Sequence, residues 1–196
     1  MIIKCKIKKI GALTVRVITG SARGRVLKTL EGEDVRPTTD RVKEAIFSII
    51  QFEIEGREVL DLFAGSGQLG IEALSRGAAY ATFTDLSKDA VSVIKSNLLT
   101  TGLHKNSAVL QTDALTFLKN SKKKFDIILM DPPYSKGLLQ KALPFAAEVT
   151  NDGGVIVCEH PHGEEMPEKA GKFVLYRSYK YGKLALSVYR IGDDEE

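Results

Sequence analysis

Cysteine is scarce in this 196-residue chain: Cys5 and Cys158 stand far apart, with neither metal-ligand spacing nor the partners of a disulfide framework. A reduced compartment suits them, and Cys158 reads as strand filler. Also missing is any run near the roughly 18 apolar residues of a membrane span. The N-terminus lacks the charged, apolar and small-residue regions of a signal peptide, so a soluble, cytoplasmic protein is expected. There is no internal repeat and no low-complexity segment. Histidine is rare as well. "EHPHGEE" sets His160 and His162 two residues apart beside acids, but no third well-spaced ligand follows, so the expectation is a polar loop after the fifth strand and no metal.

What is present is 43% apolar residues, enough for one core and a small appendage. The net charge of +3 conceals an asymmetry, since residues 1–43 hold eleven Lys or Arg against four Asp or Glu. Such a basic segment fits a polyanionic partner, whose counterions it displaces, or else a solvated surface. Residues 1–14 form a basic arm. Over 15–52, "VRVITGS" and "RGRVLKTLEG" read as a β-hairpin around a Ser-Ala-Arg-Gly turn. An amphipathic helix follows, with Val42, Ala45, Ile46, Ile49 and Ile50 on one face and Thr38 or Thr39 as its N-cap.

Over 53–196, short apolar strands alternate with helices: "EVLDLF", a helix from about Gln68, "ATFTD", a helix from Ser87, "AVLQTD", a short helix, "FDIILMD", a helix from about Leu138, and "GGVIVCEH". Alternation of this kind means parallel pairing with right-handed crossovers. Two last strand patterns, joined at Tyr181 to Lys183, predict a closing hairpin that adds an antiparallel strand to the sheet.

Two motifs carry chemistry. "DLFAGSGQLG" places Gly65, Gly67 and Gly70 between a strand and a helix, where glycine admits a ligand close to the backbone and the helix start offers unpaired N–H groups. Asp85, eighteen residues past Gly67, ends the second strand and is placed to hold ribose hydroxyls. NAD and S-adenosylmethionine are both open on this motif. Asp61 before the glycines favours a cationic amino-acid tail over a pyrophosphate, which it would repel, and Asp113 in "LQTDAL" can reach an adenine amino group. The second motif, "ILMDPPYSKG", ends a buried strand in a stiff rim, because proline fixes φ and donates no backbone hydrogen bond. A turn that only packs Tyr134 would explain it. The chemical alternative is an exocyclic amine held by the Asp131 carboxylate and the Pro132 carbonyl, with its lone pair aimed at a methyl group. Tyr134 then stacks on a flipped-out base.

"DLFAGSGQLG", "TD" at 84–85, "TDAL" at 112–115 and "DPPY" together resemble the class I S-adenosylmethionine-dependent amino-methyltransferases. More narrowly, "VRVITGSARGRVLKTLEGEDVRPTTDRVKEAIFSII" and "YGKLALSVYR" resemble the RsmD family, which methylates a guanine N2 in bacterial 16S ribosomal RNA. The resemblance spans about residues 15–191. It implies an α/β, Rossmann-like fold with a seven-stranded, mostly parallel sheet, a C-terminal antiparallel hairpin and an N-terminal hairpin-plus-helix extension. It further implies action on the 30S subunit or an assembly intermediate, with S-adenosylmethionine converted to S-adenosylhomocysteine; a monomer is expected.

Carried over by position, Asp61, Phe63, Ala64, Gly65, Ser66, Gly67, Asp85, Leu86, Asp113 and Ala114 would hold the cofactor, and Asp131, Pro132, Pro133 and Tyr134 the guanine. Arg16, Arg23, Arg25, Lys28, Arg36 and Arg41 would meet RNA phosphates, although Arg36 and Arg41 could instead be held by acids of the fold. Two departures stand out. Residues 1–14 have no counterpart in the family, and Glu is usual where Asp85 stands. The rival readings are a DNA or other RNA adenine-N6 methyltransferase and an NAD-linked oxidoreductase.

Overall fold

A computed structural model describes residues 15–30, 40–133 and 137–192. The basic arm, the Thr38 or Thr39 cap, Arg36 and Tyr134 lie outside the described residues. The elements run α1 (Asp40–Ile49), β1 (Glu58–Asp61), α2 (Gln68–Ser75), β2 (Tyr80–Asp85), α3 (Lys88–Thr101), β3 (Ser107–Gln111), α4 (Ala114–Asn120), β4 (Phe125–Met130), α5 (Leu138–Glu148), β5 (Thr150–Pro161), β6 (Lys169–Ala170), β7 (Phe173–Tyr181) and β8 (Leu184–Ile191). Local chemistry accounts for several boundaries. Ser87 caps α3 by accepting from the Ala90 N–H, and Gly102 ends it in the left-handed conformation, as polar N-caps and C-terminal glycines do generally.

All strands join one sheet in the order β3-β2-β1-β4-β5-β8-β7-β6. The first five are parallel, and β8 enters antiparallel between β5 and β7. The sheet thus has eight strands among the described residues rather than the seven expected. The eighth, β6, is two residues long, too short to show any alternation.

Two apolar clusters cover the two faces. One gathers Val42, Ile46, Phe47, Val59, Phe83, Ile94, Leu129 and Val157, together with Val15, Val17, Ala22 and Leu27 from the extension. The other sets Leu118, Leu139, Leu143 and Ala146 against Leu60, Ile128 and Ile156. The extension therefore belongs to the main core.

The expected N-terminal hairpin forms as a short one: Arg16 is bridged antiparallel to Val26, and the N–H groups of Val17, Gly24 and Leu27 donate across it to the carbonyls of Arg25, Val17 and Val15. Its turn is held by α2. Ile18 and Thr19 N–H donate to the Glu72 carboxylate at 2.7 and 3.0 Å, and Ala22 N–H donates to Ser75 Oγ at 2.9 Å. Lys43, counted above among the cations of residues 1–43, is fully buried. Its Nζ donates to the Arg16 carbonyl at 2.6 Å and lies 3.9 Å from Glu72. Burial lowers its pKa, against the opposing pull of Glu72.

The polar loop expected after the fifth strand "GGVIVCEH" begins one residue later than expected, at His162. β5 continues to Pro161 because β8 pairs with it as far as Leu184. His160 is buried in that strand, its Nε2 2.8 Å from Ser187 Oγ, and only His162 sits in an exposed turn.

Candidate active site

Strand side chains alternate between faces, and four strands end alike on the α1–α3 side of the sheet. Val59 is followed two residues later by Asp61, Phe83 by Asp85, Leu129 by Asp131 and Val157 by Glu159, each apolar member in the same cluster. Each of these four rows thus turns from apolar residue to carboxylate near the carboxyl edge, where open α/β sheets hold ligands. Those acids, with Asp113, line a cavity of about 750 Å³.

Asp61 is the deepest, at 1% exposure. Its Oδ2 accepts from the Gly70 N–H at 2.9 Å, which anchors the start of α2 to the end of β1. Burial raises its pKa to about 7, the Gly70 N–H opposes the rise, and the charges of Asp131 and Asp85 add to it. Asp85 accepts from Gly65 N–H at 2.9 Å and from Ser87 N–H at 2.8 Å, so one carboxylate joins the glycine loop to the start of α3. Asp113 caps α4, accepting from Thr116 N–H at 2.9 Å.

The three glycines differ in what they do. Gly65, with φ +52°, lines the cavity, and a Cβ built there would meet no atom within 4 Å. Gly67 makes the left-handed entry to α2 and lies behind the wall, where a Cβ would stand 3.2 Å from Ile94. At Gly70 a Cβ would fall 2.3 Å from the Phe83 ring, so this glycine lets helix and strand approach.

Phe63, Ala64, Ser66, Leu86 and Ala114 join Asp61, Gly65, Asp85 and Asp113 around the cavity, and Asp131, Pro132 and Pro133 form another part of its wall. Pro132 is buried and Pro133 exposed. Of the proposed phosphate contacts, Arg16, Arg23, Arg25, Lys28 and Arg41 are exposed, and Arg16 lies 3.8 Å from Asp40. Arg16, Arg23, Arg25 and Lys28 precede Thr29 and Leu30, which themselves line the cavity.

Sequence reasoning passed over four contributors. Glu159 lay in the expected strand "GGVIVCEH" without being singled out, although "VIVCE" repeats the apolar-run-then-acid pattern seen at Asp61, Asp85 and Asp131. Thr29 and Leu30 carried no local signal. Neither did Asn97, whose side chain accepts from Lys28 N–H at 2.8 Å and donates to the carbonyls of Lys28 and Ser66 at 3.0 and 2.9 Å. It pins the extension to the glycine loop.

The lining suits a cationic ligand. Five acids and no Lys or Arg border the cavity among the described residues, a poor host for the pyrophosphate of a dinucleotide. No cluster of His, Cys, Asp and Glu among them is arranged to hold a metal, and no described helix is long and apolar enough to cross a membrane.

A family model described as "Conserved hypothetical protein 95" matches residues 15–190. The Bacillus subtilis (strain 168) protein YlbH is 42% identical over 181 residues, covering 90% of this chain and 98% of that one. The Escherichia coli (strain K12) ribosomal RNA small subunit methyltransferase D is 33% identical over 182 residues, covering 92% and 91%.

The chain belongs to the RsmD family.

The solved structure of Escherichia coli yhhF superposes with a TM-score of 0.82 at 33% identity, covering 91% of this chain and 98% of that one. RsmD membership thus takes in the extension as well as the sheet, since the matched range begins at residue 15. The architecture is that of the class I methyltransferases.

Proposed function

We propose that this RsmD-family chain is an S-adenosylmethionine-dependent RNA methyltransferase that modifies the exocyclic N2 of a guanine in 16S ribosomal RNA, within the 30S particle or an assembly intermediate. The observation that carries the reading is the placement of Asp131 and the Pro132 rim beside a cavity lined by acids and, among the described residues, by no Lys or Arg, at the carboxyl edge of the sheet.

The residues present fit the cofactor. Asp61 faces its ammonium group, Gly65 leaves room for its amino-acid part, Asp85 takes the ribose hydroxyls, and Asp113 with Leu86 and Ala114 borders the adenine. When bound, the sulfonium supplies the methyl group: an N–C bond forms, the C–S pair stays on sulfur, and the amine releases one proton. Asp131 and the Pro132 carbonyl accept from the target amine and draw its lone pair out of conjugation with the ring. Two prolines hold those acceptors still, so little reorganisation is needed at the moment of transfer. Tyr134 stacks on the base, and Arg16, Arg23, Arg25, Lys28, Arg36 and Arg41 meet phosphates without reading sequence. The protein acts as a cytoplasmic monomer.

Replacing Asp131 by Ala tests the reading. Methylation of 30S particles from a deletion strain, followed by mass spectrometry of 16S RNA, should fall by on the order of 10²–10³-fold, with S-adenosylhomocysteine binding retained. Unchanged guanine methylation in the deletion strain itself would refute the substrate assignment.

A further inference from the structure

We infer that Glu159 is the residue that reads the target base, accepting a hydrogen bond from the N1–H of guanine while Asp131 and Pro132 hold the neighbouring amine. The inference rests on the amine-methylation reading above and adds to it the source of base specificity.

Three observations carry it. Met130 of β4 is the register partner of Cys158 of β5, so the next residue along each parallel strand, Asp131 and Glu159, stands at the same level on adjacent strands. Alternation turns both to one face, continuing the rows Ile127–Leu129 and Val155–Val157. Finally, Glu159 is only 2% exposed yet lines the cavity beside Asp131 and Pro132. It is thus a buried carboxylate in the part of the cavity nearest the proposed target amine.

The chemistry of the purines makes that acceptor informative. Next to its 2-amino group guanine presents N1–H, a donor, whereas the atom next to the 6-amino group of adenine is N1 with a lone pair. An ionised carboxylate only accepts. In that form Glu159 completes a row of acceptors that matches guanine and faces the lone pair of adenine with like charge. Discrimination follows from leaving a buried acceptor opposite a lone pair, the strongest kind of rejection available to a polar site.

The test compares small-subunit RNA particles carrying guanine or 2-aminopurine at the target position. The second base keeps the 2-amino group and replaces N1–H with a lone pair. Wild-type protein and Glu159→Gln are assayed for kcat/KM on both, with calorimetric binding of S-adenosylhomocysteine as the check on folding. Wild type should prefer guanine by roughly 10- to 100-fold. Glu159→Gln, whose amide can donate to a lone pair, should narrow that ratio by about tenfold or more with the calorimetric affinity within about twofold, a change that a merely structural role would not produce. Should the glutamine variant lose S-adenosylhomocysteine, Glu159→Ala is read in its place, and the same narrowing is expected.

An unchanged ratio in the variant that folds overturns the inference, as does a wild-type enzyme that treats the two bases alike. A wild-type protein that methylates neither base at the amine overturns the amine-methylation reading itself, which is a separate outcome.

Discussion

Replacing Asp61 by Asn should make the ligand-free protein more stable while abolishing its hold on S-adenosylhomocysteine. Asp61 titrates at about 7 in the fold against 3.8 ordinarily, chiefly because it is buried, with Asp131 and Asp85 adding like charge. Between about pH 4 and pH 7 the native state keeps a proton that the unfolded chain has lost, so stability from this group falls as pH rises through that window and is flat above it. Three pK units at about 1.4 kcal/mol each set an upper bound of about 4 kcal/mol on the cost of the ionised side chain. An asparagine carries no such cost and keeps an oxygen for the Gly70 N–H, so urea denaturation at pH 8 should show the variant more stable by about 2–4 kcal/mol. The gap should close towards pH 4. Wild-type affinity for S-adenosylhomocysteine should weaken about tenfold for each pH unit below 7, because the ammonium group needs the ionised carboxylate. A gap that is absent at pH 8, or that does not change with pH, would refute the account of Asp61 as a strained buried acid.

The glycines separate packing from binding. Gly70→Ala drives a methyl group against the Phe83 ring and should cost about 1–3 kcal/mol in urea denaturation. Gly65→Ala meets no atom within 4 Å and should cost about 1–2 kcal/mol for its left-handed φ, with its larger effect a weaker calorimetric affinity for S-adenosylhomocysteine. Glu72→Ala leaves buried Lys43 without its counter-charge and Ile18 and Thr19 without their acceptor. A loss of about 3–5 kcal/mol is expected, together with faster proteolysis within residues 15–30.

Much of the frame was legible because local signals and tertiary packing agree. Helix α3 begins after the Ser87 cap, and α5 spans the residues from Leu138 onward as expected. The acids at 61, 85, 113 and 131 were recognisable because each follows an apolar strand. What stayed hidden depends on partners distant in sequence. The strand pattern at 15–28 predicts the hairpin, but not that Ile18, Thr19, Ala22 and Lys28 N–H find Glu72, Ser75 and Asn97, 53 to 69 residues away. Lysine reads as a surface residue, and Lys43 is internal only because a carbonyl and a carboxylate meet it there. Glu159 and His160 fell within the expected fifth strand, but their burial depends on β8, which lies 25 residues further along the chain.

The reach of Asn97 bears on how the chain can be taken apart. One amide side chain holds both Lys28 and Ser66, and Thr29 and Leu30 complete the cavity wall beside it. A fragment starting at residue 53 would lose that wall and expose the face that Val15, Val17, Ala22 and Leu27 cover. Grafting the extension onto another methyltransferase core would likewise require an amide at the matching turn of α3. The stretch that looks like an accessory in the linear order is, in three dimensions, one side of the vessel.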